Sequence, residues 1–168
     1  IMELVEGPTL YKTWRSGKLP ESRIVPIVRQ IAAGLHHAHE KGFFHRDIKP
    51  ENIIINARRG PVLVDFGVAR HAGQQTVTPG NSFGGTPPYI PPEVFHRFIG
   101  KAVENSQMVS RDTRARRWDV YSLGQILFEL LVGRPTFAGN KSFGEIIRAK
   151  VTIEALDPGD EFSDSMRD

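Results

Sequence analysis

Residues 45–52, His-Arg-Asp-Ile-Lys-Pro-Glu-Asn, place a carboxylate, a lysine and an amide between apolar runs at 43–44 and 53–55. These runs consist of phenylalanine and isoleucine, which predicts a short strand on each side. A third apolar run, 62–64, leads directly into Asp-Phe-Gly at 65–67. Because strand ends are rigid supports for functional loops, we expect both polar stretches to lie on neighbouring strand ends.

The polar side chains of these two stretches suit the movement of a phosphoryl group. Such a transfer needs metal ions to neutralise the phosphate charge, a carboxylate to receive the nucleophile's proton, and a cation beside the oxygens. Asp47 and Asp65 offer carboxylates, Asn52 offers an amide oxygen, and Lys49 offers the cation. For any one of them, capping of a turn is the simpler interpretation, but the whole set favours phosphoryl transfer.

The order H-R-D-x-x-x-x-N and then D-F-G resembles the protein kinase family. Gly-Thr-Pro-Pro-Tyr at 85–89 is similar to the G-T-x-x-Y piece of serine/threonine kinases, and Pro-Pro-Glu at 91–93 stands in the place of A-P-E. Residues 119–124 resemble the D-x-W-S-x-G element, and the phrasing around the motifs is similar to bacterial members. The resemblance implies an α+β fold, the mainly α-helical large lobe of a kinase with short β strands around the catalytic loop.

The resemblance covers nearly the whole chain and implies a partial kinase domain without the small N-terminal lobe. The sequence contains no G-x-G-x-x-G loop or V-A-I-K lysine, and the arginine that usually pairs with Glu93 is missing too. We expect these 168 residues alone to bind ATP weakly, to show no turnover and to be poorly soluble. The expected parts are a hinge at 1–8, the catalytic loop at 45–52, an activation segment at 65–93, an insertion at about 100–117 and a central helix at 119–132.

Within this resemblance, five residues carry the reaction. Asp47 would accept the proton of the substrate hydroxyl or orient that hydroxyl, and Lys49 would neutralise charge on the γ-phosphate. Asn52 and Asp65 would hold the Mg2+ ions, because magnesium prefers oxygen ligands and completes its shell with phosphates and water. Thr86 would bond both Asp47 and Lys49 and help to accept a serine or threonine substrate.

The resemblance also implies a nucleotide site for ATP at the start of the chain. Met2 would be the gatekeeper, and the backbone of Glu3 and Val5 would hydrogen-bond the adenine edge. Leu10 would pack near the adenine ring, and Ile54 is expected to contact the nucleotide.

A regulatory role is expected for Arg46, which precedes the catalytic aspartate. It would pair with a phosphate on Thr76, Thr78 or Ser82 and so order the activation segment. The residues with expected structural roles are His45, Phe66, Glu93 and Asp119.

The first of two predicted long helices precedes the catalytic loop. Apolar residues recur at three- and four-residue steps between Ser22 and about Lys41, which indicates one buried stripe. His36 and His39 share a face near its end; they either bind a metal or, as is commoner, act as cations at a helix C-terminus. In the kinase comparison, His39 matches a histidine that usually precedes the catalytic loop.

The central helix at 119–132 is apolar on nearly all sides, so we expect it to be buried. Asp119 at its start is either a plain N-cap or, as in the family, an acceptor for backbone N–H groups around His45 and Arg46. The basic run at 111–117 is interpreted as a solvated loop rather than as a patch for nucleic acid or an acidic partner.

Composition bounds these interpretations. The chain is 39% hydrophobic, carries a net charge of +3 and has no cysteine, which excludes disulfides and thiolate metal sites. It has no apolar run long enough to span a membrane, and no nucleic-acid partner is expected. Implied partners are proteins with serine or threonine hydroxyls, including the kinase itself by autophosphorylation. We expect the kinase domain in the cytoplasm, while anchoring of a longer parent stays open.

Two other functions are compatible with parts of the pattern. One is a pseudokinase or ATP-binding scaffold, against which the intact catalytic residues argue. The other is a small-molecule phosphotransferase of related fold, which would lack the D-F-G, G-T-x-x-Y and P-E set. The nature of the phosphorylated product separates these functions.

Overall fold

The computed structural model describes residues 4–66, 70–71, 85–98, 110–137 and 142–152. The α-helices of these ranges are α1 (Leu10–Arg15), α2 (Ile24–Glu40), α3 (Pro92–Phe98), α4 (Arg111–Val132) and α5 (Phe143–Thr152). The strands are β1 (Phe43–Phe44), β2 (Ile53–Asn56), β3 (Gly60–Leu63) and β4 (Arg70–His71). Short 3-10 turns occur at Glu21–Arg23, Pro50–Asn52 and Pro87–Tyr89.

The core forms where α2 packs against α4. The helical repeat turns Ile27, Ile31 and Leu35 to one face of α2, and all three are buried. Ile126 and Leu130 of α4 belong to the same apolar cluster. The predicted buried stripe of the first long helix is therefore confirmed, and α2 ends at Glu40, close to the predicted Lys41.

An antiparallel hairpin of β2 and β3 carries the two polar stretches. Ile53 pairs with Leu63 and Ile54 with Val62, so the start of β2 lies beside the end of β3. Val64 N donates to the Asn52 carbonyl at 2.9 Å. This register brings the catalytic loop next to the Asp65 segment, as the positions of the apolar runs predicted.

The structure corrects several predictions about α4. The helix begins at Arg111 rather than at Asp119, with Ser110 as its N-cap, so the basic run at 111–117 is helical and not a loop. The Ser110 hydroxyl accepts from Thr113 N at 3.1 Å and stabilises this start. Asp119 lies inside the helix and is not its cap. Val120 was expected to be buried but is 64% exposed.

Two further helices complete the described structure. α3 lies in a stretch for which no regular element was predicted, and its Phe95 is completely buried. The ring of Phe95 meets the ring of Phe143, at the start of α5, at a centroid distance of 6.2 Å. In the described ranges, no helix has the length and apolarity to cross a membrane.

Candidate active site

The catalytic loop is anchored to α4 by Asp119, whose side chain is completely buried. Its Oδ1 accepts from Arg46 N at 2.7 Å, and its Oδ2 accepts from His45 N at 2.9 Å. Oδ2 also lies 2.7 Å from His39 Nε2, at the end of α2. A buried carboxylate needs such donors, and these three satisfy it. The predicted bonds to the backbone of the loop are present, and His39 lies between the helix and the loop.

The backbone turns sharply at one residue before the β2–β3 hairpin and at one residue after it. Arg46 has φ 62° and Asp65 has φ 64°, which are the described non-glycine residues in the left-handed region. That conformation is uncommon for a residue with a side chain and is typical of sites where the surroundings impose the backbone. His45 Nε2 lies 2.9 Å from the Val64 carbonyl, and its ring meets the Phe66 ring at 4.6 Å. His45 therefore links the two turns.

Asp47, Lys49 and Thr86 form one hydrogen-bonded cluster. Thr86 Oγ1 donates to Asp47 Oδ1 at 2.7 Å and accepts from Lys49 Nζ at 2.9 Å. Lys49 Nζ lies 2.9 Å from Asp47 Oδ2. The bonds predicted for Thr86 are present, and they join residues that are far apart in the sequence.

The cluster keeps Asp47 ionised. Burial raises the pKa of Asp47, but the hydrogen bonds from Lys49 and Thr86 and the charge of Lys49 outweigh it, so the pKa lies below its ordinary value. A bond from Asn52 acts in the same direction. The carboxylate is therefore an acceptor throughout the neutral pH range.

Asn52 and Asp65 fit the oxygen ligands of a magnesium site. Asn52 Nδ2 donates to the Asp47 carbonyl at 2.9 Å and to Asp47 Oδ2 at 3.3 Å, which leaves Oδ1 as the ligand atom. Asp65 is exposed just beyond β3. The described ranges contain no group of three or more histidine, aspartate or glutamate side chains that would hold a metal alone. Asn52 and Asp65 would therefore need phosphate oxygens and water to complete the coordination shell of Mg2+.

The segment that carries Thr86 lies directly against the catalytic loop. Gly85 has φ +113°, and a Cβ at this position would stand 2.9 Å from the Arg46 carbonyl and 3.1 Å from Trp118 Cζ2. A side chain would therefore push the two segments apart, which explains the glycine before Thr86. Ser122 of α4 holds the same segment by donating to the Tyr89 carbonyl at 2.8 Å.

Sequence reasoning missed a buried polar network behind this segment. Glu129, 1% exposed, accepts from Tyr89 Oη at 3.0 Å and from Thr136 N at 3.0 Å. Gln125 Nε2 lies 3.2 Å from Glu129 and also bonds Thr136. Burial, and then the carboxylate of Glu129, raise the pKa of Tyr89. The available signal was a glutamine and a glutamate one turn apart in the largely apolar C-terminal half of α4.

Lys150 is a second buried polar residue that the sequence did not reveal. It is 5% exposed on α5, and its Nζ donates to the Ile90 carbonyl at 2.7 Å and to Tyr121 Oη at 3.1 Å. Glu93, expected to be structural, is exposed in the first turn of α3, and its charge acts on Lys150.

The residues predicted to bind the nucleotide differ in their burial. Leu10 is completely buried in the core cluster with residues of α2, and its packing near the adenine ring stays a prediction. Val5 and Ile54 are partly exposed, and their contacts with adenine stay predictions. Met2 and Glu3 lie outside the described residues.

The predicted pairing of Arg46 with a phosphate also stays a prediction. Arg46 is partly buried beside the catalytic loop, whereas its proposed partners, Thr76, Thr78 and Ser82, lie outside the described residues. His36 is exposed, and the Nε2 atom of His39 is engaged by Asp119. His39 is therefore part of the loop anchor.

Comparison with known proteins identifies the family of the chain. A family model of the protein kinase domain matches residues 1–168. Serine/threonine-protein kinase pkn2 of Myxococcus xanthus is 38% identical over 145 residues, covering 83% of this chain and 16% of its own length. Serine/threonine-protein kinase PknL of Mycobacterium tuberculosis is 33% identical over 168 residues, covering 94% of this chain and 38% of its own length.

A third relative, serine/threonine-protein kinase PknD of Mycobacterium tuberculosis, is 37% identical over 158 residues and covers 94% of this chain. The chain spans 22% of its length, and less than two fifths of the length of each of these three relatives. The chain therefore belongs to the protein kinase family and is similar to its bacterial serine/threonine members.

Proposed function

We propose that this domain transfers the γ-phosphate of ATP to serine and threonine hydroxyls of proteins. The cluster of Asp47, Lys49 and Thr86 carries the proposal, because it holds an ionised acceptor and a cation side by side. The side chain of Asp47 is 12% exposed and that of Lys49 is 24% exposed, so the pair is accessible to a substrate. The printed names of the relatives, serine/threonine-protein kinases, support the same class of acceptor.

The proposed reaction uses the lone pairs that the cluster leaves. The Asp47 carboxylate has about four lone-pair sites, of which Thr86, Lys49 and Asn52 take three. The remaining lone-pair site accepts the proton of the substrate hydroxyl. At the same time, the oxygen of that hydroxyl forms a bond with the γ-phosphorus. The bond from phosphorus to the bridging oxygen breaks, and ADP leaves with the electron pair. Lys49 Nζ stabilises the charge on the transferred group.

Asn52 and Asp65 would hold magnesium in this site. The ion, when bound, neutralises charge on the phosphate oxygens. The amide of Asn52 also donates to Asp47, so the same side chain orients the carboxylate and presents Oδ1 to the metal. His45 and Asp119 contact no reactant in this scheme; they hold the backbone that carries Asp47.

The test is transfer of labelled γ-phosphate from ATP with magnesium, using the full-length gene product, to itself and to a generic basic protein. Asp47→Asn keeps the size of the side chain but removes the proton acceptor, so we expect about a 100-fold or greater loss of kcat. Asp65→Ala removes the proposed metal ligand and abolishes labelling. Asp112→Asn, in the first turn of α4, is the matched control and should leave the rate unchanged.

The product identifies the function. Label on protein serine or threonine that disappears in both site variants supports the proposal. ATP binding without any label would instead support a pseudokinase or binding scaffold, and label on a small molecule alone would support a small-molecule phosphotransferase. Asp47→Asn with wild-type kcat would contradict the role given to Asp47.

A further inference from the structure

The segment at residues 6–9, here called the connector, lies along β2. Ile55 N donates to the Pro8 carbonyl at 2.8 Å, and Asn56 Nδ2 donates to the Glu6 carbonyl at 2.9 Å. Thr9 forms an antiparallel bridge with Ile54. The connector, which follows Val5 directly, is therefore hydrogen-bonded to β2, the strand that carries Ile54.

Asn56 holds the connector with one end of its amide and a turn with the other. Its Oδ1 accepts from Arg58 N at 3.0 Å and from Arg59 N at 2.9 Å, in the turn that joins β2 to β3. Two backbone donors on one atom identify that atom as the amide oxygen. The nitrogen must then face the Glu6 carbonyl, so the orientation of the amide follows from its partners.

The connector also approaches β2 more closely than a side chain would allow. Gly7 has φ +142°, and a Cβ there would stand 2.4 Å from the Ile55 carbonyl oxygen and 3.1 Å from Ile54 Cγ2. Contacts below about 3 Å are not tolerated without a shift of the backbone. Gly7 therefore packs its own backbone against Ile54, and the Asn56 bond holds it in that position.

We propose that Asn56 is a positioning residue for the nucleotide. By holding Glu6 against β2, it sets the distance between the backbone of Val5 and the side chain of Ile54, two of the described residues assigned to adenine. Asn56 itself touches no part of the nucleotide; it acts through the connector. The inference rests on the proposed function, since it requires that this site binds ATP.

The variant Asn56→Asp separates the two ends of the amide. It keeps an oxygen for Arg58 N and Arg59 N, but it replaces the donor to Glu6 with an oxygen that repels the carbonyl. We expect the affinities of the full-length gene product for adenosine and for ADP to fall by the same factor, about 3- to 10-fold. Affinity for inorganic tripolyphosphate, which has no adenine, should stay unchanged.

Kinetics provide a second measurement of the same effect. We expect KM for ATP to rise by a similar factor while kcat at saturating ATP keeps its value, because the catalytic cluster is untouched. An equal loss of tripolyphosphate affinity, or no loss of adenosine affinity, would overturn the inference. If the wild-type protein binds no ATP, the proposed function itself fails, which is a different result.

A glycine pair makes the test independent of Asn56. Gly7→Ala displaces the connector while the amide stays intact, so adenosine affinity should fall at least as much as in Asn56→Asp. Gly17→Ala is the matched control, because Gly17 has φ +69° but nothing within 4 Å of an added Cβ. It strains the backbone without moving the connector and should leave adenosine affinity unchanged. Unchanged affinity in Gly7→Ala would overturn the inference even if Asn56→Asp proved unstable.

Discussion

At the scale of single residues, the Thr86 hydroxyl joins the two charged groups of the site. Its one proton goes to Asp47 Oδ1, and its oxygen receives a proton from Lys49 Nζ. A hydroxyl donates once and accepts at the same time, whereas a carboxylate only accepts and an ammonium only donates. Among side chains of this size, only serine offers the same pair of bonds.

We predict that Thr86→Ala lowers kcat/KM for a protein substrate by about 10- to 100-fold, because the general base loses its orientation. The variant should also shift the pH profile. Asp47 has a lowered pKa and must be ionised, so activity is lost as the pH falls through that pKa. Removing one of the bonds that lower the pKa moves this loss to higher pH. The measurement is kcat/KM from about pH 2.5 to pH 8, a range that extends below the ordinary aspartate pKa of about 3.9.

Thr86→Ser is the control for this prediction. It keeps the hydroxyl and should retain most of the activity and the acid limb of the wild-type enzyme. An acid limb that stays in place in Thr86→Ala, together with wild-type kcat/KM, would show that the hydroxyl does not act on Asp47.

At the scale of elements, α4 holds the end of α2 at two points. Asp119 binds the His39 side chain, and Arg116, one turn earlier on the same face, donates through Nη2 to the His39 carbonyl at 2.7 Å. A cation at the C-terminus of a helix also interacts favourably with the helix dipole. The contact of Arg116 with Glu40, at 3.4 Å, is exposed and adds little.

We predict that Arg116→Ala lowers the free energy of unfolding by about 1 kcal/mol, because the last carbonyls of α2 lose a charged donor. Arg117→Ala removes an exposed neighbour from the same basic run and should change stability by less than about 0.5 kcal/mol. Urea denaturation of both variants measures the difference. Equal effects of the two substitutions would mean that the run acts only through its overall charge.

At the scale of the whole molecule, Lys150 ties α5 to the segment after Thr86 and to α4. Its ammonium bonds the Ile90 carbonyl and lies 4.7 Å from the centre of the Tyr121 ring. Burial lowers the pKa of Lys150 to about 7, although Glu129 and Glu93 act in the opposite direction. Burial also raises the pKa of Tyr121 to about 12. The amine is thus a titrating group inside the fold.

This lowered pKa predicts a rise of stability with pH. Between about pH 7 and pH 10.5, the amine is neutral in the folded state and charged in the unfolded state, so the unfolded state binds the extra proton. The free energy of unfolding should therefore increase with pH over this window, and Lys150→Met should flatten that increase. Urea unfolding at pH 7.5, 8.5 and 9.5 gives the two slopes. Parallel slopes for the wild type and the variant would contradict the prediction.

Local pattern sufficed where both partners of a contact lie close in the sequence or where a helical repeat sets the burial. The stripe of α2 and the strands beside the catalytic loop belong to this class. It failed at the start of α4, because the helix there depends on the Ser110 cap and on packing against α2 rather than on its basic composition.

The sequence by itself determined the family, the buried stripe of α2 and the strands beside the catalytic loop, because spacing along the chain is enough to specify them. Only the tertiary structure decided which polar residues are buried and what satisfies them. Glu129 and Lys150 find their partners on other elements, and the sequence does not show which hydroxyl or carbonyl will be opposite. The physical reason is that a buried charge is stable only where folding brings donors and acceptors to it.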